Sequence, residues 1–496
     1  MRERGWEIWA LPALLVLAAA HFAARLGAPS FFVDEALSVE HATPGFSGIA
    51  HAVEASETTP YTYFFGLHLW LGHGGSAAEA SVRLPSVIAG VLLVAAVFWT
   101  ARVFVERRVA LGAALLCALS PFVFTYAQQA RVYVFAMLAT TLAVGATVRG
   151  AGAAEVLRDQ GARPLDPVTP VGGRWLWAGG LAAVVALLCH YTATFAIAPL
   201  AVWLATRGAV DRRARIAYVA ACVVTELLLA PLLVHQYRLA PNGGDLADAG
   251  LTGTSLARVF SVPFDGRWVA GVDWLRVLGL VTTLAAAAVV ATRGRAKLRG
   301  LLLAVGFAAP IGLLLAGILG KDVLITRYAA AGVPVLLIAV AAAVAALPRP
   351  AAAALAALVA VTSAAGLIRD HDRTSGFYPP TRAVIDYIGA RAQPGDAIVV
   401  PGAVGTDIPL AYYAQRRLHP LLPFVEPADS RSAFDGGGRV WIIRATDAPG
   451  LSERALLGFA GPGLQPYGYR PVLARAFDTS LTLSVILAEP LSEPAP

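Results

Sequence analysis

Charge is what this sequence has least of. Asp, Glu, Lys and Arg make up 14% of its 496 residues and hydrophobic residues 57%, whereas soluble chains carry about 25% charged residues. A soluble globular fold for the whole chain is thereby excluded, and with a mean hydropathy of +0.65 much of it must lie in lipid. Cysteine is scarce as well. Cys117, Cys189 and Cys222 fall in or beside apolar runs, which leaves neither a disulfide framework nor a Cys-based zinc site. Lysine is nearly missing, so the net charge of +7 rests on arginine. The arginines stand in small groups between apolar runs and form no single patch, which argues against nucleic acid as a partner.

What the sequence has in abundance is apolar runs long enough for a helix to cross the hydrocarbon core. Spans are expected at residues 8–26, 87–105, 109–126, 132–148, 175–189, 192–206, 216–234, 274–292, 301–319, 328–347 and 351–368. Arg2 and Arg4 ahead of the first run could mark a signal peptide, but the run is long and many more follow, so it reads as an uncleaved helix. With the N-terminus in the cytoplasm, the Arg-rich connections around Arg102, Arg107 and Arg108, and at 149–174, 207–215 and 293–299, all fall inside. That is the side that Lys and Arg prefer.

An odd number of spans then puts the tail outside. The tail gains Pro, Gly, Asp and Tyr; AVIDYIGARAQPGDAIVV reads as an amphipathic helix, a turn and a strand, and RVWIIRA and LTLSVILAEP read as further strands. The expected fold is a polytopic α-helical membrane protein of the plasma membrane, with about 11 transmembrane helices. Residues 1–368 form its transmembrane module, with a first outer loop at 27–86 bearing interfacial helices, and 369–496 form a small extracytoplasmic α/β domain.

On this topology the unusual polar clusters share the outer side. SFFVDEALSVEHA carries Asp34 and Glu35, which could simply be acids favoured in a helix's first turn. The aromatic stretch with Tyr61, Tyr63 and His68 is too short and polar to span and should lie along the interface, where His68 reads first as a packing residue. SPFVFTYAQQARVYVFAM sets Gln128, Gln129 and Arg131 in a tight outer turn. An arginine there, with no partner nearby in sequence, is costly unless it snorkels to headgroups or binds an anion. His190 and Tyr191 separate two spans, and Lys321, Asp322, Arg327 and Tyr328 precede a late one. Glu226 lies near mid-span and suits protonation or a partner within the bundle.

These residues, in this order and on one face, resemble the GT-C glycosyltransferases. Within them the chain is similar to the branch of protein O-mannosyltransferases and lipid A aminoarabinose transferase, glycosyltransferase family 39-like. Asp34-Glu35 matches the acid pair of the first outer loop. Pro60-Tyr61-Thr62-Tyr63 ahead of His68-Leu69-Trp70 matches in part a His-Pro-Pro-Leu-Tyr run. Arg83-Leu84-Pro85-Ser86, Ser120-Pro121-Phe122, Tyr126 to Tyr133, His190-Tyr191 and Arg327-Tyr328 continue the pattern. Thr59 stands where the family has His, and Gln129 where it has Glu.

The resemblance implies an inverting transfer of a mannose- or arabinose-like sugar from a polyprenyl-phosphate donor to an acceptor hydroxyl on a glycan, lipid or protein, on the outer face of the membrane. It implies Asp34 as general base, supported by Glu35, and Arg131, Arg327 and more weakly Lys321 as ligands of the donor phosphate. Tyr61, Tyr63, His68, Gln128, His190, Tyr191 and Tyr328 would shape the substrate groove. No metal ligands are assigned and no cofactor is required by this reading, although a divalent cation is compatible with it. Two other classes fit the composition: a lipid or polysaccharide transporter or flippase, for which Glu226 is the one mid-span charge, and a non-catalytic membrane assembly protein.

Overall fold

A computed structural model describes residues 5–152, 174–207, 210, 212–239, 253–264, 274–293, 296–319, 324–371, 378–400, 407–418, 424–425, 431–446, 452–478 and 482–491. Chain contacts divide it into two units: 1–26, 41–76 and 81–371 in the first, and 27–40, 77–80 and 372–496 in the second. Two stretches of residues 27–86, expected to go with the transmembrane module, thus cluster with the tail.

The first unit is helical. Its elements are α1 (Gly5–Ala23), the end of α2 (Val33–Ala42), α3 (Phe46–Ser56), α4 (Thr62–Gly72), α5 (Glu79–Ala101), α6 (Arg107–Ala118), α7 (Pro121–Ala127), α8 (Tyr133–Gly150), α9 (Arg174–Cys189), α10 (Ala193–Ala205), α11 (Arg212–Leu239), α12 (Gly253–Ser261), α13 (Trp274–Arg293), α14 (Ala296–Ile318), α15 (Val333–Ala346) and α16 (Arg349–His371). Among the described residues seven helices are long and apolar enough to cross a membrane. The remaining expected spans fall on the shorter apolar helices α1, α9 and α10 and on the bent pair α6 and α7.

That bend corrects the expected continuous span at 109–126: α6 and α7 meet at 58°. The cause is local. Proline lacks the N–H that would continue α6 and is well placed as a first helical residue, so Ser120-Pro121 ends one helix and starts another. Ser120 Oγ accepts from the Val123 N–H at 3.4 Å and donates to the Pro263 carbonyl at 2.7 Å, which fixes the corner.

Helices in lipid gain little from hydrophobic exclusion and pack through small residues that let backbones approach. The pairing of α8 with α9 shows this. A Cβ added at Gly179 would stand 2.5 Å from Thr147 Oγ1 and 2.9 Å from the Thr147 backbone nitrogen. Gly179→Ala is therefore expected to cost about 1–3 kcal/mol by overpacking, read as a lower midpoint of thermal denaturation in detergent; an unchanged midpoint would show that α8 and α9 part freely. At the far end of α8, Arg149 donates to the carbonyls of Trp99 and Gly145 and covers the Trp99 ring at 3.7 Å, so this charge is anchored rather than buried alone. Glu226 in α11 accepts a hydrogen bond from Thr194, which gives that acid its partner within the bundle.

The second unit holds the start of α2, helices α17 (Thr381–Gly389), α18 (Asp407–Arg417) and α19 (Glu453–Leu464), and strands β1 (Ala397–Val399), β2 (Phe424–Val425), β3 (Val440–Thr446), β4 (Tyr469–Phe477) and β5 (Thr482–Pro490). The sheet order is β2-β1-β3-β5-β4, with β1 parallel to β2 and β3, and β5 antiparallel to β3 and β4. The Pro-Gly-Asp turn into β1 uses the freedom of Gly395, at φ 94°. Asp396 then accepts two bonds from Arg439 and one from the indole of the fully buried Trp441, so the core tryptophan keeps a polar partner.

Candidate functional site

Two sets of candidate residues are built in different units. In the second unit, Asp34 and Glu35 occupy the first turn of α2, where the helix dipole favours negative charge. The helix starts on the Phe32 carbonyl, which accepts from the Glu35 and Ala36 N–H groups at 3.1 and 3.0 Å. Glu35 is fully buried while Asp34 is half-buried, and the Ser38 hydroxyl donates to the Asp34 carbonyl.

In the first unit the central object is Arg131, and the structure corrects its expected state. Rather than awaiting an external anion, its guanidinium closes on the carboxylate of Glu57 through two bonds of 2.8 and 3.0 Å, with both side chains buried. The fork of arginine matches two carboxylate oxygens at once, and a buried charge at this depth needs such a partner. His41 in the last turn of α2 stands 3.5 Å from the same carboxylate. Burial alone would raise the Glu57 pKa, but Arg131 and His41 outweigh it and hold it at about 2. Glu57 is thus ionised throughout the physiological range. Sequence reasoning missed it: it stands 74 residues from Arg131, and the only local signal is a lone acid ahead of Thr-Thr-Pro.

Beside this pair lies His190, in the break between α9 and α10. It is 3% exposed, and its ring stands 5.3 Å from that of Tyr133 and 5.6 Å from that of Tyr328. The Thr192 backbone N–H donates to Nδ1, so Nδ1 is the acceptor and the ring proton sits on Nε2. Burial, with the positive charges of Arg131 and Arg327, pushes its pKa down to about 3. The imidazole is therefore neutral, with an Nε2–H donor that has no hydrogen-bond partner among the described residues. A buried donor left open within the field of two arginines is suited to an incoming anionic oxygen.

Other expected residues have prior commitments. The Gln128 amide donates to the carbonyls of Phe22 and Ala24, and Arg83 donates to that of Leu26. Both motif residues thus satisfy carbonyls where α1 ends, which have no partner within the helix. His68 bonds to the Ala42 carbonyl and packs edge-on to Phe46, as a packing residue would. Tyr61 donates to Glu54, and burial and that bond push its pKa up to about 12. Tyr191 donates to Gln236, whose amide donates in turn to the carbonyls of Val53 and Thr59. Gln236 was not singled out by sequence. Lys321 lies outside the described residues.

Alongside runs an open apolar groove of about 1270 Å³ between α4, α5, α8 and α9. Tyr63, Trp99, Val132, Phe135, Ala146 and Trp175 are among the residues that line it. From Val132 to Ala146 the groove follows α8 for about 21 Å at the rise of an α-helix. Val132 and Cys189 of its wall are the chain neighbours of Arg131 and His190.

Residues 60–158 match the family described as dolichyl-phosphate-mannose-protein mannosyltransferase, a stretch that includes Arg83, Gln128 and Arg131. No curated protein matches the chain in sequence. Among solved structures, ArnT from Cupriavidus metallidurans bound to undecaprenyl phosphate aligns over 100% of both chains at 11% identity and a TM-score of 0.56. The oligosaccharyltransferase of Archaeoglobus fulgidus in its apo form aligns over 89% of this chain and 70% of its own at 12% identity and a TM-score of 0.49. The likeness to ArnT is one of fold. Family match and fold agree with the resemblance to GT-C glycosyltransferases.

Proposed function

We propose that this chain, GT-C-like in fold and similar to protein mannosyltransferases over residues 60–158, is an inverting glycosyltransferase. It would take a mannose- or arabinose-like sugar from a polyprenyl phosphate and pass it to an acceptor hydroxyl on the outer face of a membrane. The observation that carries the reading is the open Nε2–H of the buried His190, which feels the charges of Arg131 and Arg327 and whose chain neighbour Cys189 lines an apolar groove. A buried donor within the field of two arginines, next in the chain to the wall of an apolar groove, suits an amphiphile with an anionic head and a long hydrocarbon tail. The eleven-span topology, with the N-terminus inside and 369–496 outside, belongs to the same proposal.

In the reaction the acceptor oxygen attacks the anomeric carbon as the bond from that carbon to the phosphate oxygen breaks. The leaving polyprenyl phosphate keeps the electron pair, so it needs positive charge and hydrogen-bond donors more than a general acid. Arg327 and the neutral His190 supply these, with Arg131 held in plane by Glu57. The hydroxyl proton goes to one carboxylate, assigned to Asp34, with Glu35 buried behind it; attack opposite the leaving group inverts the anomeric centre. The acceptor is a glycan, lipid or protein hydroxyl, and Lys321 is a further candidate for the phosphate.

The test is turnover of polyprenyl-phosphate mannose, arabinose and glucose by purified protein in lipid; absence of transfer and of donor hydrolysis with all three would end the assignment. Arg327→Ala is expected to raise the KM for the active donor about tenfold, the worth of one charge-assisted hydrogen bond, with little change in KM for the acceptor. Equal effects on both substrates would remove Arg327 from the phosphate.

A further inference from the structure

The second unit contains an arrangement that the proposed chemistry does not use directly. Helix α5 begins at Glu79, whose side chain is 11% exposed. One of its oxygens accepts from Arg382 at 2.7 Å and from the Tyr413 hydroxyl at 2.7 Å. With its proton committed to Glu79, the Tyr413 oxygen accepts from the Phe31 backbone N–H at 2.8 Å. Arg382 completes the frame. Its guanidinium donates to the carbonyls of Gly27 at 3.2 Å and Ala28 at 2.8 Å, and its backbone N–H donates to Ser30 Oγ at 3.2 Å. Ring contacts close it: Phe31 meets Tyr412 at 5.3 Å and Phe32 meets Tyr378 at 5.8 Å.

Apart from the two bonds to Glu79 itself, these contacts fall on residues 27–32, immediately before the helix that carries Asp34. A segment without regular structure has backbone groups to satisfy and conformational entropy to lose. Here both demands are met by side chains of the C-terminal residues. Tyr413 is the joint, because its hydroxyl is the only link in this set that passes from the Glu79 carboxylate to the backbone at Phe31.

We propose that Tyr413, held by Glu79 and Arg382, is a positioning residue that fixes the entry to α2 and with it the carboxylate of Asp34. The C-terminal residues thereby take part in turnover without touching substrate. The kinetic half of this inference rests on the assignment of Asp34 as base; the structural half does not. Tyr413→Phe removes the acceptor of the Phe31 N–H and one donor to Glu79 while keeping the ring. Glu79→Gln keeps an acceptor for Tyr413 but removes the charge facing Arg382.

The experiment uses the full chain in lipid nanodiscs and two readouts. Hydrogen exchange at amides 31–36 is expected to rise about tenfold in Tyr413→Phe, the effect of one lost hydrogen bond on local opening. It should rise less in Glu79→Gln, with β3 and β5 amides keeping wild-type protection in both. With undecaprenyl-phosphate mannose as donor probe, kcat should fall about tenfold in Tyr413→Phe while both KM values stay within about twofold. Wild-type exchange at 31–36 in both variants, or a rise shared equally by β3 and β5, overturns the positioning role. Changed exchange with unchanged kcat overturns its link to turnover. A wild-type chain that processes no donor at all refutes the function proposed above, and exchange still decides the clamp.

Discussion

Asp34→Asn is expected to lower transfer by about a hundred- to ten-thousand-fold, the range a positioned general base supplies. Asparagine keeps the size of the side chain and its place in the first turn of α2 but cannot take the hydroxyl proton. Expression, membrane insertion and donor binding should remain at wild-type levels, because asparagine keeps the size of the side chain and the bond from Ser38 to the backbone carbonyl of Asp34. Glu35→Gln at the fully buried neighbour is expected to act more through folding. Single-turnover kinetics with bound donor separate the two. Retained turnover in Asp34→Asn would take the base role from this residue.

The second large effect is on stability. Glu57→Gln strips the buried Arg131 of its counter-ion and is expected to cost about 3–5 kcal/mol, the usual consequence of breaking one side of a buried pair. Replacing both, Glu57→Gln with Arg131→Met, should return most of that loss, since the desolvation of both charges is then avoided. Thermal denaturation in detergent measures both variants; an additive double variant would mean that the pair is not coupled. Acid acts on the same region. Glu57 at about 2, against an ordinary value of 4.5, contributes stability that is complete above pH 4.5 and is lost as pH falls through 2. His190 at about 3, against 6.5, contributes stability that is complete above pH 6.5 and fades toward pH 3. Melting points should therefore decline steadily below about pH 6.5, and His190→Asn should flatten the upper part of that decline.

Much of the helical layout is legible in the sequence because hydropathy is a local property. The apolar runs mark helices, and the acids at 34 and 35 mark a first turn. The corner at Ser120-Pro121 was equally local, but averaging hydropathy over a span-length window hides a single proline. What could not be read was pairing across distance. Arg131 carries no trace in its own neighbourhood of Glu57, and the pattern that singled out Gln128 and Arg83 did not reveal that both serve the end of α1. The grip of Arg382 and Tyr413 on residues 27–31 joins parts of the chain more than 350 residues apart in the case of Arg382 and Gly27. Such contacts follow from the fold and not from any periodicity.

Helix α11 has 28 residues, about 42 Å at the rise of an α-helix, whereas the hydrocarbon core measures about 30 Å. It is also the candidate span least covered by protein, with 22% of its window buried. A helix so long and so exposed adjusts its tilt to the thickness of the surrounding lipid. Near its end Gln236 is tied to the backbone at Val53 and Thr59, on either side of Glu57. Leaflet thickness would thus be felt at the acid that steadies Arg131.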